Sequence, residues 1–137
     1  MTPIEKLAKA VTYDSDCKYM PYKANASAKD PEYHPGIDLY AESAYSCSGG
    51  TVIALGFDGE TYSVTVQQDV NTIFRSCNLS SVYISTGAEV QTGFRIGSSD
   101  DYIHFEYCTR DQNDSKWPVR VGTEQYYKQN PLLVFGA

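Results

Sequence analysis

Residues 59–69, GETYSVTVQQD, put Tyr62, Val64 and Val66 on one side of an extended chain and Ser63, Thr65 and Gln67 on the other. A period of two marks a half-buried β-strand, because successive strand side chains point to opposite faces. The Asp-Gly of FDGE (57–60) is a turn signal, which makes GGTVIALGF (49–57) the other arm of a hairpin. GIDLYAES (36–43) and NTIFRSCNLSSVYIS (71–85) supply further short runs of the same kind. No 15-residue window carries helical periodicity. The chain is therefore expected to be all-β, a compact antiparallel sheet domain.

A second pattern follows. In ISTGAEVQTGFRIG, residues 84–97, an apolar residue and a glycine recur through Ile84, Gly87, Val90, Gly93, Ile96 and Gly97. Glycine at fixed offsets implies positive φ or close backbone approach. The segment is expected to turn tightly twice and re-enter a sheet.

The ends are less regular. PIEKLAKA, residues 3–10, has room for one or two helical turns, too short to stand alone. Residues 1–32 read as an N-terminal wrapping segment with at most that short helix. Residues 33–107 read as the core, and 108–137 as a closing segment that ends on the apolar NPLLVF. Within it, DQNDSK looks like an exposed loop. The 137 residues make one domain of a size that buries a substantial core.

Composition removes some functions. A net charge of −6 provides no basic stripe for phosphates, so nucleic acid is not an expected partner. No segment approaches transmembrane length, and MTPIEKLAKAVTYD lacks the apolar run of a signal peptide. Twelve tyrosines suit a β-sheet surface or a half-wet groove that stacks sugars or peptides. Four cysteines without a CxxC pair allow three pairings, or free buried thiols.

The chain has two histidines, His34 and His104. His34 is followed four residues later by Asp38. In an extended chain that spacing puts both on one face. Likewise Tyr102, His104 and Glu106 share a face, with Ile103 and Phe105 turned to the core. Two histidines and one aspartate are a ligand set for zinc that leaves a fourth position for water. H-x3-D by itself is a weak pattern, and both histidines also read as ordinary structural residues.

Several stretches together resemble the M23 family of zinc endopeptidases, the LytM/lysostaphin type that cuts peptidoglycan cross-bridges. HPGIDLYA is similar to the family's H-x-G-I-D segment, and GGTVIALGF and YSVTVQQD to the two strands that follow. IFRSCNLSSVYISTGAEVQTGFRIG is similar to its Y-x-H-L segment and valine-glycine run, and YIHFEY to its H-x-H-F-E. NPLLVF resembles its closing segment.

The resemblance implies an M23-type fold and Zn²⁺ held by His34, Asp38 and His104. Two family histidines are missing: the position of the Y-x-H-L histidine is Asn78, and that of the first histidine of H-x-H is Tyr102. In active relatives these two are implied to handle the proton and steady the oxyanion. The family's loop before H-x-H is cut to SSDD, residues 98–101.

A positioned acid/base contributes about 10²–10⁴ in rate, and an oxyanion donor about 10²–10³. Losing both histidines therefore predicts weak or absent peptidase activity. The Tyr102 hydroxyl and Glu106, acting through a water, are the candidate substitutes. Glu106 also fits as the acceptor behind a metal-bound histidine.

Three readings stand at this point. One is a cell-wall-facing binding or scaffold module of a larger assembly, such as a phage tail or a spore-engulfment envelope complex, with peptidoglycan or a peptide as ligand. The absent signal peptide favours a virion component. The second is an active peptidoglycan endopeptidase that uses Tyr102 in place of a histidine. The third is a metal-free β scaffold.

Overall fold

A computed structural model describes residues 42–112 and 118–129, and residues 37–39 by their backbone. Among them eleven strands and no helix are found. They are β1 (Ile37–Leu39), β2 (Ser43–Tyr45), β3 (Gly50–Phe57), β4 (Tyr62–Asp69), β5 (Thr72–Leu79) and β6 (Ser81–Val82). Then follow β7 (Glu89–Val90), β8 (Arg95–Ser98), β9 (Ile103–Thr109), β10 (Pro118–Val121) and β11 (Glu124–Gln129). No helix among the described residues is long and apolar enough to cross a membrane. The expected N-terminal helix, His34 and the NPLLVF end lie outside the described residues.

The large sheet runs β10-β11-β9-β5-β4-β3-β7, and a small one runs β2-β8-β6. Every pairing is antiparallel. Strand β9 is central. β5 lies along one side of it, while β1 pairs with its first half and β11 with its second.

The expected hairpin is present, with Phe57 paired to Tyr62. Asp58 closes its loop by accepting from the backbone N–H groups of Glu60 (2.9 Å) and Thr61 (2.8 Å). The glycine rhythm has a direct backbone cause: Gly87 and Gly93 stand at φ 93° and 98°, a region open to glycine at little steric cost. These two turns bring β7 onto β3 and β8 between β2 and β6.

The main core fills the space between the two sheets. Val52, Val64, Val66, Phe74, Leu79, Ile103 and Phe105 of the large sheet meet Ala44 and Ile96 of the small one. A second cluster, Ile73, Cys108, Val119 and Tyr126, occupies the other face of the large sheet. Adjacent residues of one strand, Ile73 and Phe74, therefore serve opposite cores, as the pleat requires. Ile53, next to Val52, faces the other way and packs partly buried against the second cluster. The register of β3 against β4 shifts between Val52 and Ala54, which leaves Ile53 as the extra residue of a bulge.

A candidate metal centre on strand β9

Alternation along β9 assigns its side chains. Ile103 and Phe105 are buried in the main core, so His104 and Glu106 belong to the opposite face. On one flank, the β1 register sets Asp38 directly across from His104. On the other, the β5 register sets Cys77 across from His104 and Arg75 across from Glu106. Residues directly opposite in an antiparallel pair share a sheet face. The backbone thus brings Asp38 and His104, 66 positions apart in sequence, to one rung.

Glu106 is only 3% exposed. Its Oε2 lies 2.9 Å from His104 Nε2 and accepts from Lys128 Nζ at 2.9 Å, while Oε1 accepts from Arg75 Nη1 at 2.6 Å. Burial alone would raise the carboxyl. The His104 hydrogen bond and the charges of Arg75 and Lys128 outweigh it and hold the group at about 2. An acceptor fixed on one ring nitrogen orients an imidazole and leaves the other to carry a lone pair, the usual arrangement behind a metal-bound histidine. An imidazole with that acceptor behind its ring is a donor of the kind zinc takes, and the residue across the rung is an aspartate, a second such type. Among the described residues alone, no group of three or more His, Cys, Asp or Glu side chains converges. His34 and the side chain of Asp38 lie outside them.

Asn78 and Tyr102 also meet. Asn78 sits at φ 64°, a left-handed conformation that asparagine adopts more readily than most residues. Its Nδ2 donates to the Tyr102 carbonyl at 2.9 Å. The Ser99 hydroxyl lies 2.7 Å from the same carbonyl and 3.0 Å from that of Asn78, and it accepts from the Asp101 N–H at 3.2 Å. The short SSDD connection is therefore tied down by side chains.

Strand β9 begins at Ile103, one residue after Tyr102, whose carbonyl accepts from Asn78 and lies within reach of the Ser99 hydroxyl.

Beside Asn78 a cleft of about 300 Å³ opens. Gly56, Ser63, Arg75 and Cys77 line it, and Phe57 and Tyr62 stand at its edge with ring centroids 4.6 Å apart. Cys47, Cys77 and Cys108 are free thiols. Sequence patterning missed Arg75 and Lys128. The alternation Ile73, Arg75, Cys77 marks a charged residue on an otherwise apolar strand face, but only the strand order reveals what it meets.

No protein-family model matches the chain, and no curated protein matches it. Solved structures do. Lysostaphin from Staphylococcus simulans superposes with a TM-score of 0.64 at 16% identity, over 87% of this chain and 50% of that one. A mutant catalytic domain of the prophage-encoded M23 protein EnpA from Enterococcus faecalis gives 0.56 at 17%, over 90% and 95%. A SpoIIIAH–SpoIIQ complex gives 0.60 at 21%, over 88% and 94%. The chain spans about half the length of lysostaphin and 33% of that of a zinc-containing peptidase from Vibrio cholerae. The two curled antiparallel sheets and these superpositions agree: the chain has an M23 peptidase-like fold.

Proposed function

We propose that this chain is an M23-like domain that keeps a zinc-ligand set at His34, Asp38 and His104 and has lost most or all peptidase chemistry. It serves as a binding or scaffold module of a larger, cell-wall-facing assembly. The observation that carries the loss is the use made of Asn78. Where the resemblance implies a proton-handling histidine, the chain has an amide that cannot titrate, and that amide holds the Tyr102 carbonyl.

Bound at this set, zinc would polarise a carbonyl and acidify a water. Proton delivery to a leaving amine would fall to the chain. Asn78 is engaged, and Glu106 is held by Arg75, Lys128 and His104. The Tyr102 hydroxyl is the candidate donor, one group in place of two.

The assembly role draws on two structural neighbours. EnpA is prophage-encoded, and SpoIIQ was solved in a complex with SpoIIIAH described as pore-forming. The reading for this chain is a phage tail or comparable envelope assembly, with peptidoglycan or a peptide bound along the cleft beside Asn78.

The test is to mix the zinc-loaded chain with purified peptidoglycan and with pentaglycine peptides. Co-sedimentation with peptidoglycan and no released fragments is the expected result. Cleavage that Tyr102→Phe abolishes while zinc is retained would make the domain a working peptidase.

A further inference from the structure

Glu106 is approached from both flanking strands as well as along its own. Arg75 comes from β5, directly across the ladder. Lys128 comes from β11, where its register partner is Cys108, two residues beyond Glu106 on the same face. That diagonal is within reach of a long side chain. His104 lies two residues before Glu106 on the same face.

We propose that Arg75 and Lys128 are positioning residues for His104, acting through Glu106. Guanidinium and ammonium groups are donors only. Arg75 donates to Oε1 and Lys128 to Oε2, so both carboxylate oxygens are acceptors. The ring nitrogen beside Oε2 must then be the one that donates. His104 Nε2 carries the proton, and Nδ1 is the nitrogen with a lone pair to offer. Lys128 and His104 share one oxygen, so removing the ammonium leaves Glu106 held by Arg75 on Oε1 alone and weakens its hold on the orientation of the ring.

This inference rests on the metal reading above and adds to it two residues from neighbouring strands. Lys128 and the Arg75 nitrogen on Glu106 would act on the ring through the carboxylate, without touching the metal, although Arg75 also lines the cleft beside Asn78. Their effect is a fixed ring and a fixed tautomer.

The chain's two histidines make the test clean. In the metal-free ¹⁵N-labelled chain, long-range ¹H–¹⁵N spectra identify the protonated nitrogen of each ring, and His34→Gln assigns the pair. The expected result is a His104 ring N–H on Nε2, protected enough from exchange to be observed directly. Lys128→Met and Arg75→Met should each weaken that protection and lower zinc affinity by about 10–100-fold, the usual effect of losing an outer partner of a metal ligand. Lys128→Arg should restore both.

A wild-type ring protonated on Nδ1 overturns the proposal. So does an Arg75→Met/Lys128→Met chain with unchanged ring resonance and zinc affinity. If the methionine variants do not fold, the wild-type resonance and the Lys128→Arg chain decide. A folded wild type that binds no zinc removes the metal reading, and the ring resonance then decides the positioning role alone.

Discussion

Asp38 of β1 stands directly across the antiparallel ladder from His104 of β9. A metal on that rung would tie β1 to the sheet. Metal that binds only the folded chain stabilises it, by about 2.7 kcal/mol when zinc is at a hundredfold excess over its dissociation constant. Asp38→Ala should therefore lower the melting temperature in zinc and leave it nearly unchanged with a chelator. Equal melting losses in both conditions would assign Asp38 a purely structural part.

Restoring the lost histidines tests the missing chemistry. Asn78→His together with Tyr102→His should raise cleavage of glycine-bridged peptides above the wild-type background. The backbone at position 78 favours the change, because histidine is also enriched in the left-handed region that Asn78 occupies. Removing the amide that holds the Tyr102 carbonyl loosens the SSDD connection, however. A misplacement of about 1 Å can reduce rate about 10²-fold, so the gain should be small. Tyr102→His alone should do less than the pair, and an equal gain from it would show that position 78 takes no part.

Acid should unfasten the Glu106 cluster. Its carboxyl is lowered from an ordinary 4.5 to about 2. A depressed carboxylate contributes stability that is complete above its unfolded value and is lost as pH falls toward its folded one. The window is therefore roughly pH 4.5 down to 2, and the loss about 3 kcal/mol in the metal-free chain. Urea unfolding across that range measures it. Glu106→Gln should flatten the curve, and a wild-type curve that is already flat would contradict the cluster.

The β class was legible because Tyr62, Val64 and Val66 alternate and because Gly87 and Gly93 recur at a fixed spacing. Both are local, and local pattern is what a sequence records well. The rung of Asp38 and His104 was legible only as two separate polar strand faces with a shared ligand chemistry. Arg75 and Lys128 were not visible, since β11 reaches Glu106 by strand order and register, which no local pattern encodes. The clamp of Asn78 and Ser99 on the Tyr102 carbonyl escaped for the same reason, since Asn78 lies 24 positions away.

The thiols should be quiet. Burial raises Cys77 to about 11 and Cys108 to about 12, and it pushes Cys47 higher still. Alkylation requires the thiolate. At neutral pH, peptide mapping after iodoacetamide should find these three unmodified in the native chain and modified in denaturant. Rapid native labelling of Cys77, which lines the cleft beside Asn78, would mean a more open cleft than the one described.

Elemental analysis of the purified, folded chain after equilibration with zinc and removal of the excess is the most direct measurement. Roughly one zinc per chain is expected, the stoichiometry of a single three-ligand site. That zinc should be lost in His34→Ala, Asp38→Ala and His104→Ala, and kept in Asn78→Ala. A wild-type chain that stays folded and metal-free, or one whose zinc survives all three ligand substitutions, would contradict it.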